Sequence, residues 1–539
     1  CADLGVPKFD LLGLGMLKLL GQCMDLIRDW RGEEIDIGRL PMDDPAVFAQ
    51  IGAADTIGLF QIESRAQANF LPRLRPTCFY DVVISVGAIR PGPMLGGQVK
   101  EMLARRRGDV PTEYPHPDLE PVLGRTHGMA LFQEQLMRCA IVVSGCSAGE
   151  ADRLRRAMSR KRSREDMMRA TQTIRDGMHA RGVDEVAAEK VLGWLEACAS
   201  YTFPESHAIS FALLAYASAW LRLYYPAEYL CAILNAQPMG FYPVSTLIHD
   251  ARLHGVQVLP VDLAHSAWDC TLEEKGTGDR LQVTVENGDE SARCNLSPVT
   301  CPPAVRVGLR YVRGLGAVTG RRLRTELERG AFASVADVVE RFDSEHGLRA
   351  LAAAGAFRSW IEGGPRQALW TVLGELRARR SGGPLAPVAP STTRLTELTP
   401  AERTLMAHHV TGFDIDGHPM RHLRGYLREL GIVELGGLRD GTRRHGQRVT
   451  AAGLVIVRQR PGTAKGFVFV GLEDETGRLD VIVTPKLYEK EREVINGSGI
   501  LAVRGRLGME DGVVNLKAET FFPLRLDQAS EVVRSHDYH

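Results

Sequence analysis

The sequence predicts a multidomain α+β protein, largely helical over most of its length and carrying a small five-stranded barrel towards its C-terminal end. Three observations predict it. The chain has 539 residues, which ordinary domain sizes divide into about three or four units, each able to bury a core. Helical apolar periodicity with short Gly/Pro breaks runs from Pro41 to about Met239 and again from about Val305 to Arg379. After about Gln447 the period changes to two.

Composition narrows the function classes. Hydrophobic residues make up 44% of the chain and charged residues 24%, as in an ordinary globular protein. The 66 basic and 66 acidic residues cancel, which excludes a binder that is basic throughout; a polyanion site has to come from local segregation of charge. No apolar run reaches the length of about 18 residues that a membrane span needs, and the N-terminus shows no basic-then-apolar leader. No membrane partner and a cytoplasmic location are therefore expected. None of the ten cysteines forms a C-x-x-C pair, so reduced, mostly buried thiols are expected in place of a zinc ribbon or disulfide framework. The first residue is Cys1 and an apolar segment follows at once, as if the numbering started inside a longer protein.

Taken in order, the first candidate is Asp10, set in the apolar run Phe9 to Leu14. A carboxylate there is costly unless it meets a metal or a cation. It reads as one ligand of a Mg²⁺ site or, more commonly for a lone Asp, as a cap or ion-pair partner. Between Asp152 and Arg169 stand eight basic and three acidic residues. On one helix Arg156, Arg160 and Arg164 would share a face, with Arg155 and Arg162 beside it. Guanidinium forks suit phosphates, although a charge run is often only a solvated face. His207 opens a strongly apolar helical stretch, with Ser206 a candidate N-cap.

A charge-, Gly- and Ser-rich stretch from about Leu272 to Pro303 reads as a loop or insertion. Beyond it, Gly314-Leu315-Gly316-Ala317-Val318-Thr319-Gly320 does not match a dinucleotide fingerprint, because its third glycine comes one residue late. It fits a helix-hairpin-helix turn whose glycines let backbone N–H groups approach a DNA phosphate, flanked by Arg313, Arg321 and Arg322; a purely structural Gly turn is the alternative. Residues 380–393 read as a Pro/Gly/Ser-rich linker. Expected strands at Val449–Val457, Phe467–Leu472, Leu479–Val483, Ile500–Val503 and Val513–Leu516 make the OB-fold the leading five-stranded candidate. Arg458, Arg460 and Lys465 are among its interleaved basic residues, and Phe467 and Phe469 could offer stacking faces or fill the barrel. The run Glu473-Asp474-Glu475 has the wrong sign for a polyanion.

Several ordered segments resemble one family. They are Lys8-Phe9-Asp10-Leu11-Leu12-Gly13-Leu14, Asp55 to Ser64, Ile89-Arg90-Pro91-Gly92-Pro93-Met94, Leu131-Phe132-Gln133-Glu134-Gln135, Gly149 to Met158 and Tyr201 to Ala208. The chain is similar along nearly its whole length to the bacterial C-family DNA polymerases, the DNA polymerase III alpha subunits, and within them to the error-prone branch. The resemblance implies the end of a palm over 1–40, fingers over 41–245 and a helical domain with the hairpin motif over 246–379. A linker and connecting helices over 380–440, an OB-fold over 441–525 and a tail over 526–539 follow. It implies that Asp10 is a catalytic Mg²⁺ ligand and that Arg155 and Arg156 face the incoming dNTP, with Arg90 and Lys161 as further nucleotide-binding candidates. It also implies that primer-template DNA contacts the hairpin and the barrel.

The family's PHP domain and the Asp-x-Asp pair of its palm lie upstream of the matched Asp10 motif. A catalytically incomplete DNA-binding scaffold is therefore the rival reading, and a piece of a replicative alpha subunit a second. No glutamine-led clamp peptide is visible in the linker, the fingers motif has the Pro-Glu-Ser-His form, and the chain stops after the barrel; all three resemble the error-prone branch. Accessory translesion proteins are expected to deliver such a polymerase to the sliding clamp.

Overall fold

A computed structural model of the chain describes residues 15–89, 98–159, 164–198, 203–274, 302–380, 393–415, 417–461, 464–524 and 536–538. These residues divide into two compact units, 36–220 with 511–513, and the remainder. The division falls inside the expected 41–245 span. The insertion at 275–301 and most of the linker, 381–392, lie outside the described residues.

The unit around 36–220 is helical, and its helix starts follow local chemistry. Asp44 accepts from the Ala46 N–H at 2.9 Å ahead of Pro45–Gly52, and Ser64 accepts from the Gln67 N–H at 3.3 Å ahead of Arg65–Leu74. Helices Gln133–Ser144, Ala148–Ser159, Arg164–Ala180 and Glu185–Cys198 follow. Leu136, Cys139 and Val143 of the first bury with Ile174 and Met178 of the third and with Val191 of the fourth. A Cβ on Gly177 would stand 2.5 Å from the Ser144 carbonyl oxygen, so only glycine allows that backbone approach.

The described parts of the basic run fall on two helices, Arg156 on Ala148–Ser159 and Arg164 at the start of Arg164–Ala180, and 160–163 lie outside the described residues. One expectation is corrected here: Ser206 is not an N-cap. The helix runs Glu205–Tyr224, the Glu205 N–H donates to the Glu134 carboxylate at 2.8 Å, and the Ser206 carbonyl accepts from Ser210 Oγ one turn on. A carboxylate from another helix supplies the cap.

In the remaining unit, Gly15–Arg31 packs on Pro226–Asn235, where Arg31 Nε meets the fully buried Glu228 carboxylate at 2.6 Å. A small sheet follows, of β1 (Val258–Leu259), β2 (Thr271–Glu273) and β3 (Ala304–Arg306), ordered β1-β3-β2. Strand β2 thus occupies the start of the segment expected to be loop. Helices Ala317–Glu328, Val335–Arg341, Glu345–Ala353 and Gly364–Arg380 form the hairpin region, and Pro400–Thr411 leads onward, opened by the reciprocal Thr399/Glu402 capping box.

The barrel comprises β4 (Arg448–Gln459), β5 (Val468–Asp474), β6 (Gly477–Val483), β7 (Ile500–Glu510) and β8 (Val513–Pro523). The strands run β5-β6-β8-β7-β4, and pairing of β4 with β5 closes the ring. Val449, Ala451, Val470, Leu472, Val481, Leu501, Val503 and Leu516 fill it. Strand β7 extends well past Val503: buried Val503, Gly505 and Leu507 alternate with exposed Arg504 and Arg506, so the two-residue period continues with arginine as its outer half. A helix, Pro485–Gly497, joins β6 to β7 and is capped by Thr484. Within the expected tail, His536–Tyr538 pairs in parallel with Val457–Gln459. No helix of the described residues is long and apolar enough to cross a membrane.

Candidate nucleic-acid interface

The hairpin is held from below and open above. Its approach is pinned by backbone bonds from Leu309 N to Ala267 O and from Arg310 N to Trp268 O, both 3.0 Å, and by Tyr311 Oη donating to Leu234 O at 2.6 Å. Leu315 is buried beneath the turn. Gly314 and Gly316 hold φ of +92° and +35°, in the left-handed region that favours glycine. Gly316 is the N-cap of Ala317–Glu328 and supplies no side-chain cap, and a Cβ there would meet nothing within 4 Å. Uncapped first-turn N–H groups and the helix dipole suit an anionic oxygen. Arg321 and Arg322 are exposed one turn on, and their guanidinium groups have no hydrogen bond or ion pair among the described residues.

The other two hairpin candidates serve the fold. Gly320 is buried against Trp268, whose Cη2 would lie 2.6 Å from a Cβ; this glycine makes room for an indole ring. Arg313 donates to the carbonyl oxygens of His408 (3.3 Å) and His409 (3.2 Å), at the C-terminal end of Pro400–Thr411. Carbonyl ends of helices attract cations, so this guanidinium braces two helices.

On the barrel the candidates separate in the same way. Arg458 is buried, with its guanidinium on Ile495 O (2.8 Å) and Ser498 O (2.6 Å), which corrects its reading as a groove residue. Arg460 is exposed above the Tyr488 ring at 5.2 Å, and Lys465 is exposed on a turn with φ of +49°. Sequence reasoning did not single out Tyr488, nor the exposed Phe522, over which Arg504 lies at 5.7 Å. Each of these aromatic faces sits on a different element from its arginine, so only strand register reveals the pairs. Cation–aromatic pairs of this kind suit stacked bases. Phe467 and Phe469 are half-buried.

The acidic run points inward. Asp474 is fully buried and accepts from Arg424 (2.7 Å), Leu435 N (2.9 Å), Thr476 N (2.8 Å) and Gly477 N (3.0 Å). Glu475 meets Arg424 at 2.6 Å, and Glu473 lies near His418. The wrong-sign objection therefore falls, because Arg424 neutralises Asp474 and Glu475 and Glu473 is buried away from the surface. Nearby His408 has its imidazole pushed down to about 4, chiefly by burial and then by His418.

In the helical unit two of the family-like segments meet. The Gln133 N–H donates to Phe203 O at 3.1 Å, Phe132 bridges Phe203, and Tyr80 Oη donates to Glu205 at 2.6 Å. Burial and that carboxylate raise the Tyr80 phenol above its ordinary value. Gln135 is structural, accepting from Leu131 and Phe132 N–H and donating to Val122 O and Thr126 Oγ1. His207 is exposed between Phe203 and Phe211, at ring distances of 5.0 and 4.1 Å. Arg155 and Arg156 lie on Ala148–Ser159, and their side chains lie outside the described residues, as do Asp10, Arg90 and Lys161 altogether.

Comparison with known proteins agrees with these parts. Residues 16–182 match the bacterial DNA polymerase III alpha subunit finger domain, 255–369 a helix-hairpin-helix motif and 449–524 an OB-fold nucleic acid binding domain. The whole chain is 42% identical to an error-prone DNA polymerase of Anaeromyxobacter dehalogenans, covering 47% of it. It is also 42% identical to one from Cutibacterium acnes, covering 49% of that protein. An error-prone DNA polymerase 2 of Agrobacterium fabrum is 40% identical over 96% of this chain and 47% of its own length. The chain is thus similar along its whole length to error-prone DNA polymerases. It spans about half the length of these curated relatives. The finger match covers residues 16–35 and the helical unit as far as 182, and the other two matches cover the hairpin and the barrel.

Proposed function

We propose that this chain is the fingers, hairpin and OB-fold part of an error-prone DNA-directed DNA polymerase, a nucleotidyltransferase acting in translesion synthesis and DNA repair. The observation that carries the reading is identity of 40–42% to error-prone DNA polymerases over 96–100% of the chain. In this reading the full protein adds dNTPs to a primer on a DNA template in the cytoplasm. The open N-terminus at Gly316, with Arg321 and Arg322, grips a duplex phosphate. Arg460 over Tyr488, Arg504 over Phe522, and Lys465 contact single-stranded template. Arg155 and Arg156, with Arg90 and Lys161, meet the triphosphate.

Polymerase chemistry uses divalent metal to align the primer hydroxyl and the α-phosphate. Asp10, which lies outside the described residues, is the residue of this chain that would hold Mg²⁺. Accessory proteins that bring the enzyme to the clamp complete the proposal. Primer extension by the full-length protein tests it: Asp10→Ala should abolish extension while DNA binding persists. Extension at the wild-type rate would overturn the assignment.

A further inference from the structure

His249, His418 and Glu473 come from three separate places: helix Val244–Leu253, the N-cap of the turn Pro419–Leu423, and strand β5. Each offers a ligand atom, and these atoms all lie within 4.8 Å of one another. His418 Nε2 and Glu473 Oε1 are 3.6 Å apart, too long for a hydrogen bond. Among the described residues His418 Nε2 and Glu473 Oε2 have no hydrogen-bond partner, although their residues are only 8% and 2% exposed. Buried polar atoms almost always find a partner, so two convergent orphans mark a place that a bound group would satisfy.

The surrounding charge has the sign of a cation site. Four carboxylates gather here, Asp250, Glu473, Asp474 and Glu475, with three guanidiniums, Arg222, Arg424 and Arg478. Arg222 and Arg478 both serve Asp250, at 3.1 and 2.8 Å, while Arg424 serves Asp474 and Glu475, at 2.7 and 2.6 Å. Among the described residues Glu473 forms no ion pair with a guanidinium; the two imidazoles lie beside it, and Arg478 acts on it only at longer range.

We propose that His249, His418 and Glu473 bind a divalent transition-metal ion of the zinc class. Two imidazoles and one carboxylate form a borderline donor set that selects such ions over Mg²⁺ or Ca²⁺. Ligand bonds of about 2.1 Å in a tetrahedron place donors about 3.4 Å apart, close to the 3.6 Å between His418 Nε2 and Glu473 Oε1. His249 Nε2 donates to Asp474 O at 2.9 Å, which leaves Nδ1 with the lone pair and fixes the ring as metal-bound histidines usually are. His418 Nδ1 accepts from the Met420 N–H at 3.2 Å, so without metal its ring proton sits on Nε2. Metal at Nε2 moves that proton to Nδ1 and ends the Met420 bond; the neutral ring keeps one proton throughout. The ion would staple Val244–Leu253 and the connecting segment to the barrel.

The test uses the full chain stripped with a chelator and titrated with Co²⁺. One equivalent should give visible d–d bands of a low-symmetry site, Zn²⁺ should bleach them, and added Zn²⁺ should raise the unfolding temperature. His249→Gln and Glu473→Gln should each weaken Co²⁺ binding by about tenfold or more, since even loss of a ligand's outer partner costs that much. Absence of saturable bands in the wild-type chain would overturn the proposal and leave a plain His–Glu pair. So would bands that survive undiminished in both variants, which place the ion elsewhere.

Discussion

The Arg424 guanidinium lies 2.7 Å from the Asp474 carboxylate, and both side chains are almost wholly buried, at 7% and 0% exposure. Asp474 in turn takes three further N–H groups, from Leu435, Thr476 and Gly477, so the turn between β5 and β6 is organised around one carboxylate. Breaking a buried pair by removing one partner strands the other charge. Arg424→Met should therefore destabilise the chain by about 3–5 kcal/mol. The midpoint of urea unfolding measures it. A double variant, Arg424→Met with Asp474→Asn, should recover part of the loss, because the fully buried charge is gone and only the partly exposed Glu475 carboxylate loses its guanidinium.

A second pair sets a pH dependence in the helical unit. Arg106 holds both oxygens of buried Asp81, at 2.6 and 2.7 Å, and the Thr77 and Cys78 N–H groups add to it. Burial alone would raise the Asp81 carboxyl, but Arg106 and the backbone donors outweigh it, and the net shift is downward. With the folded value below the unfolded one, the pair's stabilisation is fully present above the unfolded value of about 3.9. It is lost as pH falls through the folded value. Unfolding midpoints of wild type and Asp81→Asn should thus differ most near neutrality and converge below about pH 4.

Particular residues show which parts of this were legible in the sequence. The barrel was, because Val449, Ala451, Val481 and Val503 fall on a two-residue period and line its core, although β6 keeps that period in its burial whereas β4 is buried continuously from Ala451 to Arg458. Strand β7 was read short because its outer positions are Arg504 and Arg506, which look like the end of an apolar run. Gly316 and Gly320 carry the same letter in one motif, yet one is a bare helix start and the other a seat for Trp268, an indole far away in sequence. Arg458 and Arg460 are likewise two residues apart and have opposite fates, one inside on carbonyls and one outside on an aromatic face. Pairings across elements, such as Arg424 with Asp474 or His249 with His418, depend on register and packing that no local pattern carries.

The two hairpin glycines should separate on substitution. Gly320→Ala gains helix propensity but drives a Cβ to 2.6 Å from Trp268, so overpacking wins and stability should fall by about 1–3 kcal/mol. DNA affinity of the folded fraction should not change. Gly316→Ala meets no neighbour but forces a side chain onto φ of +35° at the helix start. Strain of about 1–2 kcal/mol at that turn should weaken duplex binding. Thermal unfolding and fluorescence anisotropy on the same samples distinguish the two outcomes.

Salt dependence separates arginines that meet phosphate from those that hold the fold. Arg321 and Arg322 are exposed and uncommitted among the described residues, whereas Arg313 and Arg458 are committed to carbonyl oxygens. Each phosphate that a protein neutralises releases counterions and adds about 0.9 to the slope of log affinity against log salt on duplex DNA. The double variant Arg321→Ala, Arg322→Ala should lower the magnitude of that slope by about 0.9 for each phosphate no longer neutralised, with the unfolding midpoint little changed. Arg458→Ala should do the reverse, leaving the slope intact while the Ile495 and Ser498 carbonyls lose their donor and the barrel loses stability. An unchanged slope in the double variant would move the duplex-binding surface away from Ala317–Glu328.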